Sequence, residues 1–321
     1  MQLNKAFNII LSLSVFLMSF LVYFCLKIPA KTDVTSVEAI SHPSQYNIHL
    51  ISYASGHPVW IQNQRTLAYS ALSHNFKSIH SFGPEDLDAQ FLQDNKEILS
   101  DPVGAGLWLW KPQIILQTLN KVPENDLVMY ADVGFIFSNI DLTTLFDVAY
   151  QSSILLADHN DEKYHAAIKT VINNASINTL KITNCDIQSC HQSPGFAAGF
   201  GIYKNTPQVR SFVQQWVNLT RDKSIMYPTI SNNEYPEFVG QQYDQTTLAI
   251  TNFKNPIGQK YIPWTEVERI LFWHHRKPLT ALEMPSSIAK LLQNKKYLRH
   301  RELTIYNSQL FSNIRQWFRD S

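Results

Sequence analysis

LVMYADVG, residues 127–134, is an apolar run that ends on Asp132 and carries a glycine two positions later. Its apolar residues do not alternate with polar ones, the pattern of a strand buried on both faces, so 126–131 predicts such a strand. A carboxylate placed where the strand stops can hold a divalent cation, Mn2+ or Mg2+. These ions take oxygen ligands, often one or two carboxylates together with phosphate oxygens. Gly134 would let the backbone approach a ligand closely. The plainer role for Asp132 is to cap the turn that follows.

Working outward, residues 46–54 (YNIHLISYA) predict a strand ending in small residues, and 76–81 a second one. Helices are expected over 60–74, 84–98 and 111–119, with Pro84 in a first turn. Downstream, Asp141 is placed to cap a helix running to Tyr150, and 153–157 reads as a further strand. Strands alternating with helices predict an α/β fold with a mainly parallel sheet covered on both faces. Ligands of such sheets bind beyond the carboxyl ends of the strands. That rule singles out Ser52, Tyr53, Ala54 and Ser55, then Asp132 to Gly134, then Asp158.

Residues 6–26 (AFNIILSLSVFLMSFLVYFCL) contain no charged side chain, and about 20 apolar residues suffice to cross a bilayer as a helix. The expected organisation is a short tail over 1–5, a transmembrane helix over 6–28, a polar stalk over 29–45, a globular domain over 46–284 and a basic amphipathic helical tail over 285–321. A signal peptide cleaved near Ala30 is the alternative. The anchor would make this a single-pass membrane protein with the lipid bilayer as a partner. Lys5, Lys27 and Lys31 nearly balance across the span, so the positive-inside rule orients it weakly. Retention of Lys5 inside would put the domain outside the cytosol: a Golgi-type lumen in a eukaryote, the outer side of the inner membrane in a bacterium. The C-terminal tail either lies on an anionic membrane or packs on the domain. A net charge of +1 gives no electrostatic case for nucleic acid, which is set aside as a partner. Cys185 and Cys190, in CDIQSC, form either a small disulfide loop or two free thiols. Zinc shared with His191 lacks an obvious fourth ligand.

Four segments then follow one another in the chain. GAGLWLWKP (104–112) precedes the central strand, with Lys111 near a helix N-terminus, where the dipole favours anions. Its Trp108 and Trp110 would either flank a base or sugar or fill the core. After the strand come GFAAGFGIYKNTP (195–207), QYDQTTLAI (242–250) and LFWHHRKP (271–278). In this order, with the strand-end Asp132, they resemble glycosyltransferases of the GT-A type. Segments 195–207 and 242–250 are similar to the F-N-A-G strand and the D-Q helix start of the glycogenin and lipopolysaccharide galactosyltransferase group.

The resemblance implies a Rossmann-like nucleotide-diphospho-sugar transferase fold and transfer of a sugar from a nucleotide-diphospho-sugar donor to a glycan, glycolipid or glycoprotein acceptor. By it, Ser52, Tyr53, Ala54, Trp110, Lys111, Asp132, Gly134, Ala198, Gly199, His275 and Arg276 serve the donor. Asp132 and His274 hold the cation, and Asp244 with Gln245 lies beside the anomeric carbon. Read by itself, Asp244 is a helix cap. Two departures stand out: Gly134 replaces the second acid of the family's D-x-D motif, and Ala197 replaces Asn. Inverting and retaining outcomes both stay open, with the D-Q likeness leaning to retaining. A carbohydrate-binding protein without catalysis is a second reading. A glycoside hydrolase using Asp132 and Asp244 as its carboxylate pair is a third.

Overall fold

A computed structural model describes residues 46–138, 140–158, 175–190, 194–236 and 238–273, without the side chains of 187, 188, 272 and 273. All of these belong to one unit, Thr35–Ser321. The strands are β1 (Ile48–Tyr53), β2 (Ser78–Phe82), β3 (Leu127–Ala131), β4 (Phe135–Phe137), β5 (Ile154–Asp158), β6 (Phe196–Lys204), β7 (Lys260–Pro263) and β8 (Leu271–Trp273). Six of them form one sheet in the order β2-β1-β3-β6-β5-β7, while β4 and β8 make a two-stranded antiparallel ribbon. Within the large sheet, β1 pairs in parallel with β2 and β3, and β5 with β7. The expected mainly parallel sheet therefore holds, with one exception: β6 runs antiparallel between β3 and β5.

Side-chain alternation divides the core between the two faces. From β3, Val128 and Tyr130 join one cluster, with Trp110, Ile114 and Trp216. Leu127, Met129 and Ala131 join the other, with Leu67, Phe146 and Trp264. Helices Trp110–Leu119, Pro207–Arg221 and Asp244–Lys254 contribute buried residues to the first face, and Pro58–Ala71, Thr143–Ser152 and Trp264–Ile270 to the second. In β6 the alternation slips by one. Phe196 and Ala198 face the first cluster, but Phe200 and Ile202 face the second. The register against β5 shifts at the same place, a bulge centred on Gly199.

The helix expected over 84–98 is broken into a 3-10 turn, Pro84–Asp86, and two short α-helices, Ala89–Asp94 and Lys96–Leu99. Short polar side chains interrupt it by bonding nearby backbone. Asp86 Oδ2 accepts from the Gly83 amide at 2.7 Å, Asp88 Oδ1 from the Phe91 amide at 2.9 Å, and Asn95 Nδ2 donates back to Phe91 O at 2.7 Å. Cys185 and Cys190 are joined as a disulfide, which decides between the two states left open. The segments 1–5, 6–28 and 29–45, His274, His275, Arg276 and the tail 285–321 lie outside the described residues. Among the described residues no helix is long and apolar enough to cross a membrane.

At the amino ends of the strands a polar chain links β1, β2 and the residue before β3. Asp126 Oδ2 lies 3.1 Å from His49 Nε2, His49 Nδ1 lies 2.7 Å from Ser78 Oγ, and that oxygen lies 2.7 Å from His80 Nε2. Burial, then the nearby His49 and Lys121, push the His80 pKa down, and burial does the same to His74. An imidazole with a lowered folded-state pKa binds its proton more readily once unfolded. Stability is then fully present above the unfolded value of about 6.5 and falls as pH drops from there towards the folded values. Calorimetric melting between pH 8 and 5 is expected to show this decline, with a shallower slope in His80→Asn. A flat profile through that window would contradict the assignment.

Candidate active site

Asp132 follows β3 and is 7% exposed. Its amide donates to Gly199 O at 2.9 Å, so the β6 bulge fixes the backbone on which the carboxylate stands. A Cβ built on Gly199 would lie 3.0 Å from Asp132 Oδ2, so a side chain there would crowd the acid. Tyr130, two residues earlier on the same strand face, donates its hydroxyl to Asp132 Oδ1.

Lys111 is the second residue of the Trp110–Leu119 helix and is 2% exposed. Its Nζ lies 2.6 Å from Asp244 Oδ2 and 3.6 Å from Asp132 Oδ1. The expectation that Lys111 faces a phosphate is corrected: its charge points inward onto two buried carboxylates. The physical reason is the high cost of burying a carboxylate without an opposite charge close by. The Tyr130 and Trp110 rings flank the ammonium, with centroids at 5.5 and 5.8 Å.

Asp244 is 3% exposed and is the first residue of its helix rather than the cap. The cap position belongs to Tyr243, whose φ of 47° and ψ of −112° are unusual for a bulky residue. Trp216 Nε1 fixes this helix start, lying 3.1 Å from both Asp244 O and Thr247 Oγ1. Gln245 is half-buried on the first turn. A hydrolase pair needs a scissile bond between its carboxylates. Here an ammonium lies between Asp132 and Asp244, which argues against that reading.

A cavity of about 460 Å³ opens beside Asp132 at the carboxyl ends of β1 and β3. Tyr53, Ala54, Ser55, Trp60, Trp108, Trp110, Asp132 and Val133 are among its lining residues. Tyr53 and Trp110 are stacked on each other at 4.0 Å and 15°, so no base fits between them. Trp110 is 5% exposed and donates Nε1 to Gly104 O at 2.9 Å. Burial pushes the Tyr53 phenol up to about 12, which keeps it protonated and able to donate. Of the residues singled out in the sequence, Tyr53, Ala54, Trp110 and Asp132 line the cavity. Ser52 does not: it is 3% exposed within the sheet. Ala198 packs into the core, and Gly134 sits in the buried turn between β3 and β4.

The segment expected to open a helix instead makes a left-handed turn. Gly104, Ala105, Gly106, Leu107 and Trp108 have φ of 58°, 52°, 100°, 52° and 57°. Leu107 N donates to Val103 O at 2.7 Å, and Trp108 N to Gly104 O at 3.3 Å. A left-handed conformation costs about 1–2 kcal/mol for each non-glycine residue. Gly106 is required here, because a Cβ would lie 2.7 Å from the Leu99 Cα. Tyr130, Trp216 and Tyr243 are site residues that sequence reasoning missed. Only Tyr130 left a signal, since strand periodicity sets it on the same face as Asp132.

For a divalent cation, Asp132 offers a hard oxygen at the cavity wall, a fit to Mn2+ or Mg2+ chemistry through one ligand. No group of three or more His, Cys, Asp or Glu suited to a metal ion occurs among the described residues. No protein-family model matches the chain, and no curated protein matches it in sequence.

Several solved structures are similar in shape, and those below are glycosyltransferases. Mouse xyloside xylosyltransferase 1 shares 10% identity at a TM-score of 0.40, over 67% of this chain and 85% of that one. The apo glycosyltransferase GlyE of Streptococcus pneumoniae shares 12% at 0.40, over 84% of this chain and 64%, under two thirds, of its own. Core-mannan synthase A of Aspergillus fumigatus, in an Mn/GDP form, shares 10% at 0.38, over 72% and 76%. At such scores the likeness carries no argument of its own.

Removing Lys111 tests its role between the two acids. Lys111→Met leaves two buried carboxylates without their ammonium and is expected to cost about 3–5 kcal/mol in urea unfolding. Lys111→Met/Asp244→Asn should recover part of that loss. A single-variant cost below about 1 kcal/mol would show the contact to be weak.

Proposed function

We propose that this chain is a membrane-anchored glycosyltransferase that moves a sugar from a nucleotide-diphospho-sugar donor to a glycan, glycolipid or glycoprotein acceptor. One observation carries the reading: Asp132 and Asp244, singled out as donor-side and reaction-centre acids, are held by one buried ammonium at the carboxyl end of the sheet. Asp132 opens onto an aromatic-walled cavity there, where α/β sheets bind ligands.

In this reading the donor enters past Ala54 and Ser55, with its diphosphate against Asp132. A divalent cation held by Asp132 and His274 would neutralise the charge that grows on the leaving diphosphate. Arg276 would add positive charge to the diphosphate, and His275 would serve there if His274 does not. Lys111 acts from behind as a positioning residue. At 2.6 Å from Asp244 it favours the ionised carboxylate and fixes where that charge lies. A carboxylate so held is better suited to steadying an oxocarbenium-like transition state than to carrying protons. Gln245, beside it, would hydrogen-bond the transferred sugar.

The anchor over 6–28 would hold the domain at a bilayer. The Cys185–Cys190 disulfide supports an oxidising compartment, which in a eukaryote means a Golgi-type lumen. In a bacterium the domain would sit at the inner membrane.

A thermal-shift screen of nucleotide sugars, with and without manganese, is expected to find a donor that raises the melting temperature. With that donor, Asp132→Asn should abolish transfer while melting within a few degrees of wild type. Asp244→Asn should lower kcat by on the order of 100-fold or more while changing donor Kd far less. Normal transfer by Asp132→Asn would remove the cation assignment. Unchanged kcat in Asp244→Asn would reduce that residue to a structural role.

A further inference from the structure

Two strained backbone segments meet beside Asp244. Trp108 closes the left-handed turn with φ of 57°, and Tyr243 precedes Asp244 with φ of 47°. Their rings face each other with centroids 5.8 Å apart, tilted by 35°. Both residues are partly exposed, and Trp108 lines the cavity that Asp132 opens onto. Strained non-glycine backbone persists where the surrounding structure over-determines it, and it concentrates at ligand clamps and active sites. Here the strain falls on the two residues whose rings border the site.

Polar groups flank this wedge. Tyr227, 44% exposed, donates its hydroxyl to Asp101 Oδ2 at 3.2 Å. Asp101 Oδ1 accepts from the Val103 amide at 2.9 Å, which ties the carboxylate to the base of the Trp108 turn. Gln241 Nε2 donates to Ile225 O at 3.0 Å and holds the segment bearing Tyr243 beside the one bearing Tyr227. Partly exposed rings beside a carboxylate and a phenol match a pyranose, which has an apolar C–H face and a rim of hydroxyls. The stacked Tyr53–Trp110 pair cannot play this part, because its rings already cover each other.

We propose that Trp108 and Tyr243 form the acceptor subsite, and that the acceptor is a saccharide whose ring stacks on Trp108 with its hydroxyls turned to Asp101 and Tyr227. The proposal rests on the transferase reading for its placement, since the wedge borders the acid assigned to the reaction centre. An aglycone lipid or a bare protein hydroxyl would present no ring to this wedge.

The test uses the full-length chain and two kinds of probe in calorimetric titrations. UDP and GDP, with manganese, report the donor side. Methyl galactoside, methyl glucoside, lactose, maltose and mannobiose report the acceptor side. Trp108→Leu and Tyr243→Leu are expected to lower saccharide affinity by on the order of tenfold more than they lower nucleotide affinity. Tyr243→Phe, which keeps the ring, should stay within about threefold of wild type and guards against loss of the fold. Equal losses for both probes, or nucleotide binding with none of the saccharides bound, would overturn the subsite. Saccharide binding that depends on Trp108, in a chain that binds neither nucleotide, would sustain the subsite and overturn the transferase reading.

Discussion

A single ammonium organises the carboxyl end of this sheet. Lys111 Nζ lies between Asp244 and Asp132, and all three side chains are nearly sealed from water. Either carboxylate, buried alone, would be driven to take up a proton or to pull the structure open. The pairing joins residues 133 positions apart, so the helix after the GAGLWLW segment, the end of β3 and the helix at Asp244 must settle together. Tyr130, the Gly199 bulge and Trp216 each hold one member of the trio in place. An anionic diphosphate placed against Asp132 would need cationic charge beside it.

Much of the frame was legible in the chain. The apolar runs ending at Ala131 and Ala157 read as strands from their short length and lack of alternation, and the helices around them had ordinary lengths. Three features were not legible, each for a physical reason. The short elements between Pro84 and Leu99 depend on Asp86, Asp88 and Asn95 choosing backbone partners, a local competition that periodicity does not report. The antiparallel course of β6 depends on which strands it joins, and FAAGFGIYK reads the same in either direction. The left-handed turn at 104–108 was hidden because the segment read as the opening of a helix, whereas three non-glycine residues share the left-handed region with its two glycines.

For the candidate site, strand-end position singled out Asp132 and order along the chain singled out Asp244, and Lys111 joins the two. What the pattern misassigned was Lys111. A lysine near a helix N-terminus invites an anionic ligand, and the anion it meets is the protein's own pair of carboxylates. Trp110 shows the same lesson in apolar form. It borders the cavity, yet its face is spent on Tyr53, while its neighbour Trp108 is turned outward by the strained turn. Of the two tryptophans of one short segment, Trp110 is buried and Trp108 is half-exposed at the cavity wall.

The most direct measurement of the central claim is a crystal structure of the full-length chain with UDP or GDP and manganese. The diphosphate is expected beside Asp132 at the cavity mouth, between Ala54 and Val133, with Lys111 still joined to Asp244 behind it. A nucleotide bound elsewhere, such as at the amino ends of the strands near His49 and Asp126, would contradict the assignment of this trio as the reaction centre.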